Sequence, residues 1–269
     1  MSELAVVPQP WWRFVSIGAL IGLIGGLASG LTIPYAAAIQ PDALTPLFEA
    51  GLSLWMVAAL QGVQFAVVLT PLAALALWAG SKVDLRAPFV ESLLPGSARP
   101  VAVFKRLGLA VGLGLVAGGC TLAAAWALSP FLPAPATDVS HTAFEGLLAS
   151  VGAGLFEEVA LRLIFGATFM WIAWLALGRR ALPRAMGWLV FGVVAVLFGL
   201  AHLPLAMGVM GGLTVPVVAY VLLLNGFLGL VFGWLFWRWG LEYAVLAHIA
   251  TDVVLHVIPV GIVELVWGG

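Results

Sequence analysis

Six side chains able to move protons or carry charge sit where this 269-residue sequence is otherwise apolar. Glu157, Glu158 and Arg162 fall within Leu155-Phe156-Glu157-Glu158-Val159-Ala160-Leu161-Arg162-Leu163-Ile164-Phe165. His202 closes the run Phe198-Gly199-Leu200-Ala201-His202, and His248 and Asp252 bracket Ile249-Ala250-Thr251. Arg162 alone among the eleven Lys and Arg residues lies deep inside an apolar segment. An ionised side chain at bilayer depth costs about 3 kcal/mol or more, so three within six positions need partners and mark a functional site.

The spacing says which partners are available. Glu158 and Arg162 are i and i+4, share a helix face and stand in the favourable order of acid before base. His248 and Asp252 have the same spacing and aim at a common neighbour. Glu157 points about 100° away from Glu158 on a helical wheel. One carboxylate is thus neutralised and one is left free. A free carboxylate beside imidazoles in a low-dielectric cavity suits general acid–base chemistry. His and carboxylate groups are also the usual N and O ligands of zinc, so a divalent metal is a second use of the same set. Polar residues inside membranes also tie helices together, and His202, just before Pro204, has the position of a helix cap.

The elements that must position these residues are membrane spans. The chain is 63% hydrophobic and 9% charged, against about 25% charged in a soluble domain. Its mean hydropathy is +1.15. Apolar runs predict seven spans, about 14–39, 52–80, 102–128, 142–177, 185–203, 214–237 and 242–266. Splitting 142–177 or the last run would make eight. The fold class is therefore an all-α polytopic helical bundle. Met1 to Pro10 carries Glu3 and no basic residue before Arg13, a poor start for a signal peptide, so the first run reads as a retained span.

Arg13; Lys82, Arg86, Arg99, Lys105 and Arg106; Arg179, Arg180 and Arg184; and Arg238 all fall on one side of this topology. The opposite loops, 40–51, 129–141 and 204–213, contain Asp42, Glu49 and Asp138 but no Lys or Arg. The positive-inside rule then makes the N-terminus cytoplasmic. Gly18, Gly22, Gly26 and Gly30 recur every four residues and predict close packing of another helix on span one. Trp11, Trp12, Trp237, Trp239 and Trp267 lie near span ends, as interfacial anchors do. The single Cys120 reads as an inert core cysteine. Net charge is −1, which gives no reason to expect a nucleic-acid partner. The expected partners are the bilayer and a membrane-associated peptide or protein.

The three motifs, Glu157-Glu158-x-x-x-Arg162, Phe198-x-x-x-His202 and His248-x-x-x-Asp252, ordered on successive late spans, resemble the CPBP family of intramembrane proteases. That family is also called CAAX protease and bacteriocin-processing, or Abi. The resemblance covers roughly residues 140–260 and divides the chain into a motif-free three-span region, 1–139, and a catalytic core, 140–269. It implies hydrolysis of a peptide bond in a membrane-associated peptide, prenylated or bacteriocin-like. It implies Glu157 as the base that activates water, with His202 assisting. His248 and Asp252 are implied as the oxyanion pair, and Glu158 with Arg162 as a supporting ion pair. The family has been described both as metal-dependent and as glutamate-based; if zinc is present, His202 and His248 are its implied ligands, with Glu157 as base. The third motif ends in Asp252 where the prenyl endopeptidases have Asn.

Simple spans put His202 near the outer face and His248 nearer the inner one. A shared site requires a recessed turn at Trp239-Gly240 or broken, tilted helices. His256 extends the stripe of His248 and Asp252 and reads as an extra ligand, a proton carrier or a helix-end histidine before Pro259. Glu145 could reach the cavity mouth, and His141 has no assigned role. Two other classes compete: a proton-coupled transporter, which also uses intramembrane Glu, His and Arg, and a non-catalytic scaffold of the same family. No inverted-repeat counterpart of the polar residues occurs in spans one to three, which disfavours transport. The composition, with few Lys, fits a bacterial cytoplasmic membrane.

Overall fold

The computed structural model describes residues 10–92, 101–136 and 140–267, the side chains of 101–105 and 263–267 excepted. Glu3, Arg99, Asp138 and residue 139 at the expected domain boundary lie outside the described residues, as do the side chains of Lys105, Glu264 and Trp267. Among the described residues every regular element is helical. Seven helices are long and apolar enough to cross a membrane: Trp11–Ile39, Leu54–Gly80, Arg106–Phe131, Ala143–Ala176, Arg184–Met210, Val215–Arg238 and Leu241–Ile262. The long fourth segment is one span, not two.

The loops are more helical than expected. Pro41–Glu49 forms a short helix in the first outer loop. The fifth span bends at His202 and continues as Leu203–Met210, with Pro204 in the first turn, where it needs no N–H partner. His202 is therefore inside a span instead of at its end. Two stretches, Glu158–Ala167 in span four and Val253–Val257 in span seven, are wound as π-helix. Such wider turns are rare and appear frequently at functional sites.

Spans one and two pack along the glycine strip. A Cβ at Gly18 would lie 2.5 Å from Ala74 Cα, and one at Gly22 would lie 2.5 Å from the Leu69 carbonyl oxygen. At Gly26 and Gly30 it would collide with the backbone of Ala66 and Ala58. The strip is thus filled from within the chain. In span six, Gly229 and Gly233 meet Ala195 and Phe191 of span five in the same way, whereas Gly226 faces open space.

Three smaller expectations change. Cys120 is exposed on the outside of the bundle, away from the core. Trp11 and Trp12 are exposed at the start of span one, as anchors should be. Trp237 instead stacks on Phe191 and fills the space beside Gly187. Trp239 packs against Tyr243 under Arg106. Large flat side chains at these two positions are used for internal packing.

Candidate active site

Span four enters the site from a well-capped start. Thr142 Oγ1 accepts from the Glu145 N–H at 3.2 Å, and Glu145 Oε2 accepts from the Thr142 N–H at 2.7 Å. This reciprocal capping box satisfies two otherwise orphaned donors. Glu145 is thereby committed at the helix end and is not a cavity group. Fourteen residues on, the chain reaches Glu157 and passes into the π-helical stretch that carries Glu158 and Arg162.

Glu158 is the hub. Its Oε1 lies 3.1 Å from Arg162 Nη1, an ion contact not aligned as a hydrogen bond, and 2.8 Å from His248 Nδ1. Both Glu158 and Arg162 side chains are fully buried. The guanidinium lies over Phe198 at 4.5 Å and Phe232 at 5.4 Å, and its Nη2 donates to the Gly229 carbonyl at 3.4 Å. Aromatic faces and one carboxylate thus replace water around a buried cation. The i,i+4 reading of Glu158 with Arg162 holds. Spacing alone did not reveal that the same carboxylate also holds His248, ninety residues away.

This second bond orients the imidazole. With Nδ1 committed to Glu158, Nε2 faces Asp252 Oδ2 at 3.5 Å and Glu157 Oε2 at 3.9 Å. The Phe232 ring stacks on His248 with centroids 4.6 Å apart and fixes the ring plane. Glu157 retains 24% side-chain exposure while Glu158 retains none, and Glu157 Oε2 has no hydrogen-bond partner. Adjacent carboxylates therefore occupy different settings, one locked and one facing space. His202 Nδ1 sits 2.8 Å from the Phe198 carbonyl, an acceptor only, so Nδ1 carries the proton and Nε2 presents a lone pair.

Glu157, His202, His248 and Asp252 all line one cavity of about 550 Å³. The bend at His202 and the π-helical stretches bring together two histidines that straight spans would hold at different depths. Phe198 links them, its ring centroid 4.7 Å from that of His202 and 5.8 Å from that of His248, edge-on to each. Arg162 and Glu158 stay behind the wall.

The ring nitrogens left over for a metal are His202 Nε2 and His248 Nε2. Among the described residues, however, no three His, Cys, Asp or Glu side chains are arranged to hold an ion. The site as built does not fit zinc.

The cavity also contains groups that the motifs do not mark. Asn225, the only asparagine of the chain, lines it from span six and donates to the Val221 carbonyl at 3.0 Å. Its sequence signal was an amide inside an apolar run. Tyr35 lines it from span one, with its hydroxyl 3.2 Å from His256 Nδ1 and its ring 4.6 Å from that of His141. His256 is thus tied to a tyrosine at the cavity wall, and His141 is part of the same aromatic cluster. Spans one and three, which carry no motif, supply part of the wall.

Residues 139–254 match the family model of the type II CAAX prenyl endopeptidase Rce1-like proteins. All six expected site residues fall inside this Rce1-like segment, and the resemblance drawn from the three motifs is borne out. No curated protein and no solved structure matches the chain. The family is one of CAAX-type proteases, and the seven apolar spans describe an integral, multi-pass membrane protein.

Proposed function

We propose that the protein is a membrane-embedded endopeptidase that hydrolyses a peptide bond of a membrane-associated peptide, with residues 140–269 as its catalytic core. The observation that carries this reading is the contrast between neighbouring carboxylates: Glu158 buried and doubly engaged, Glu157 turned to the cavity with a free oxygen. A general base needs a free lone pair and access to water.

Glu157 takes a proton from a water whose oxygen attacks the scissile carbonyl carbon. The carbonyl electron pair moves to oxygen, and that oxyanion is held by the Nε2–H of His248 as imidazolium, balanced by Glu158. Asp252 serves as a second donor in its protonated form. The C–N bond then breaks as Glu157 returns its proton to the departing nitrogen, leaving a new carboxyl and a new amine. His202 accepts a hydrogen bond from the water through Nε2 and orients it. Arg162 is a positioning residue, acting through Glu158.

The ten basic residues on one side support an N-terminus in the cytoplasm, and the composition supports a bacterial cytoplasmic membrane. Prenylated and bacteriocin-like peptides are both candidate substrates. The test is cleavage of quenched peptides, prenylated and unmodified, by detergent-purified protein and by the Glu157→Gln variant. Cleavage by wild type that Glu157→Gln loses while remaining folded is the expected result. Equal turnover by both would overturn the assignment of the base.

A further inference from the structure

The cavity and the basic residues lie at opposite ends of the bundle. Every described basic residue outside Arg162 lies at one end of the spans or in the loops that join those ends. The cavity walls run toward the other end. Tyr35 lies in the last third of span one, Ala125 in the outgoing half of span three and Ala149 in the first third of span four. Leu205, Tyr220 and His256 occupy the corresponding ends of spans five, six and seven. Only Leu228 and His248, at the floor, pass the midpoints of their spans. The end joined by Lys82, Arg86, Arg179 and Arg180 contributes no lining residue to this cavity.

We propose that the catalytic cavity opens on the non-cytoplasmic face of the membrane and takes peptides that have been exported or sit in the outer leaflet, not the tails of cytosolic proteins. This rests on the endopeptidase reading and adds the side from which the substrate arrives. Lys and Arg near span ends are retained on the cytoplasmic side during insertion, and ten such residues against none in the opposite loops is a strong bias. Because each span contributes its far half, no tilt of a single helix reverses the relation. The loops at the cavity end carry Asp42 and Glu49 without a Lys or Arg, so a peptide reaching the mouth meets no cationic barrier.

The test uses the full chain with Cys120→Ser, since Cys120 is the sole cysteine and is exposed. In that background, Ala36→Cys places a thiol in the cavity wall and Ala181→Cys places one in the loop after span four. A membrane-impermeant maleimide is applied to intact spheroplasts and to inverted vesicles, with detergent-opened membranes as the reactivity control. Ala36→Cys should label in spheroplasts and not in inverted vesicles, and Ala181→Cys should do the reverse. Labelling of Ala36→Cys only in inverted vesicles, or from neither side, overturns the proposal. Cleavage of an externally added quenched peptide by spheroplasts, lost with Glu157→Gln, supports the substrate side. Correct labelling with no cleavage from either face would sink the protease reading, and with it the substrate class, while leaving the orientation standing.

Discussion

Between spans one and two, glycines draw two backbones together until no side chain fits: a Cβ at Gly26 would occupy the place of Ala66. Among spans four to seven, comparable apolar helices are held apart around a cavity of about 550 Å³, and bulky rings of Phe198 and Phe232 line a buried cation. The seam is dry and self-sufficient. The cavity depends on a charge network, Arg162 to Glu158 to His248, whose members cannot be left unpaired at that depth. Packing alone stabilises the first region, so its failures should be failures of folding. The second can lose chemistry while keeping its shape, and that separation is what substitutions should expose.

The largest effect is expected at Glu157. Glu157→Gln should lower turnover about 10²–10⁴-fold, the range of a lost general base, with no change in thermal midpoint. Next is Arg162→Ala, which strands Glu158 as an uncompensated buried charge and should cost about 3–5 kcal/mol of stability, read as loss of folded protein in a thermal-shift assay. If Arg162→Ala left stability unchanged, the network would not be what holds the site. At the seam, Gly26→Leu should cost about 1–3 kcal/mol through overpacking, while the molecules that remain folded cleave at the wild-type rate. A rate loss per folded molecule would show that the two regions are coupled. The smallest effect is at the cap of span four: Thr142→Ala should cost about 1 kcal/mol in chemical denaturation with turnover intact.

The sequence made span number and the three motifs legible because both rest on local facts. An apolar run of sufficient length must span, and polar residues i and i+4 must share a face. Glu158 with Arg162 followed from spacing, and the glycine strip followed from its period. What spacing could not reveal was contact between helices. The bond from Glu158 to His248 joins residues ninety positions apart. The bend that recesses His202 was hidden because Pro204 was taken to end a span, although proline is equally at home in the first turn of a new helix. Tyr35 and Thr121 line the cavity from spans with no motif, and neither residue type is unusual enough in an apolar run to attract attention. Asn225 is different, being the only amide of its kind in the chain.

The π-helical stretch at Glu158–Ala167 also sets a constraint on length. A π-helical turn accommodates an extra residue relative to α-helix, so span four carries surplus chain at the point where its polar groups face the cavity. Removing a single apolar residue between 163 and 167 would let the stretch relax toward α-helix and rotate one flank against the other by about 100°. The composition would be almost unchanged, yet Glu157 and Met170 could no longer both keep their present neighbours. Residue count in this span is thus itself a specification, and related sequences aligned across it should tolerate substitution far better than gaps.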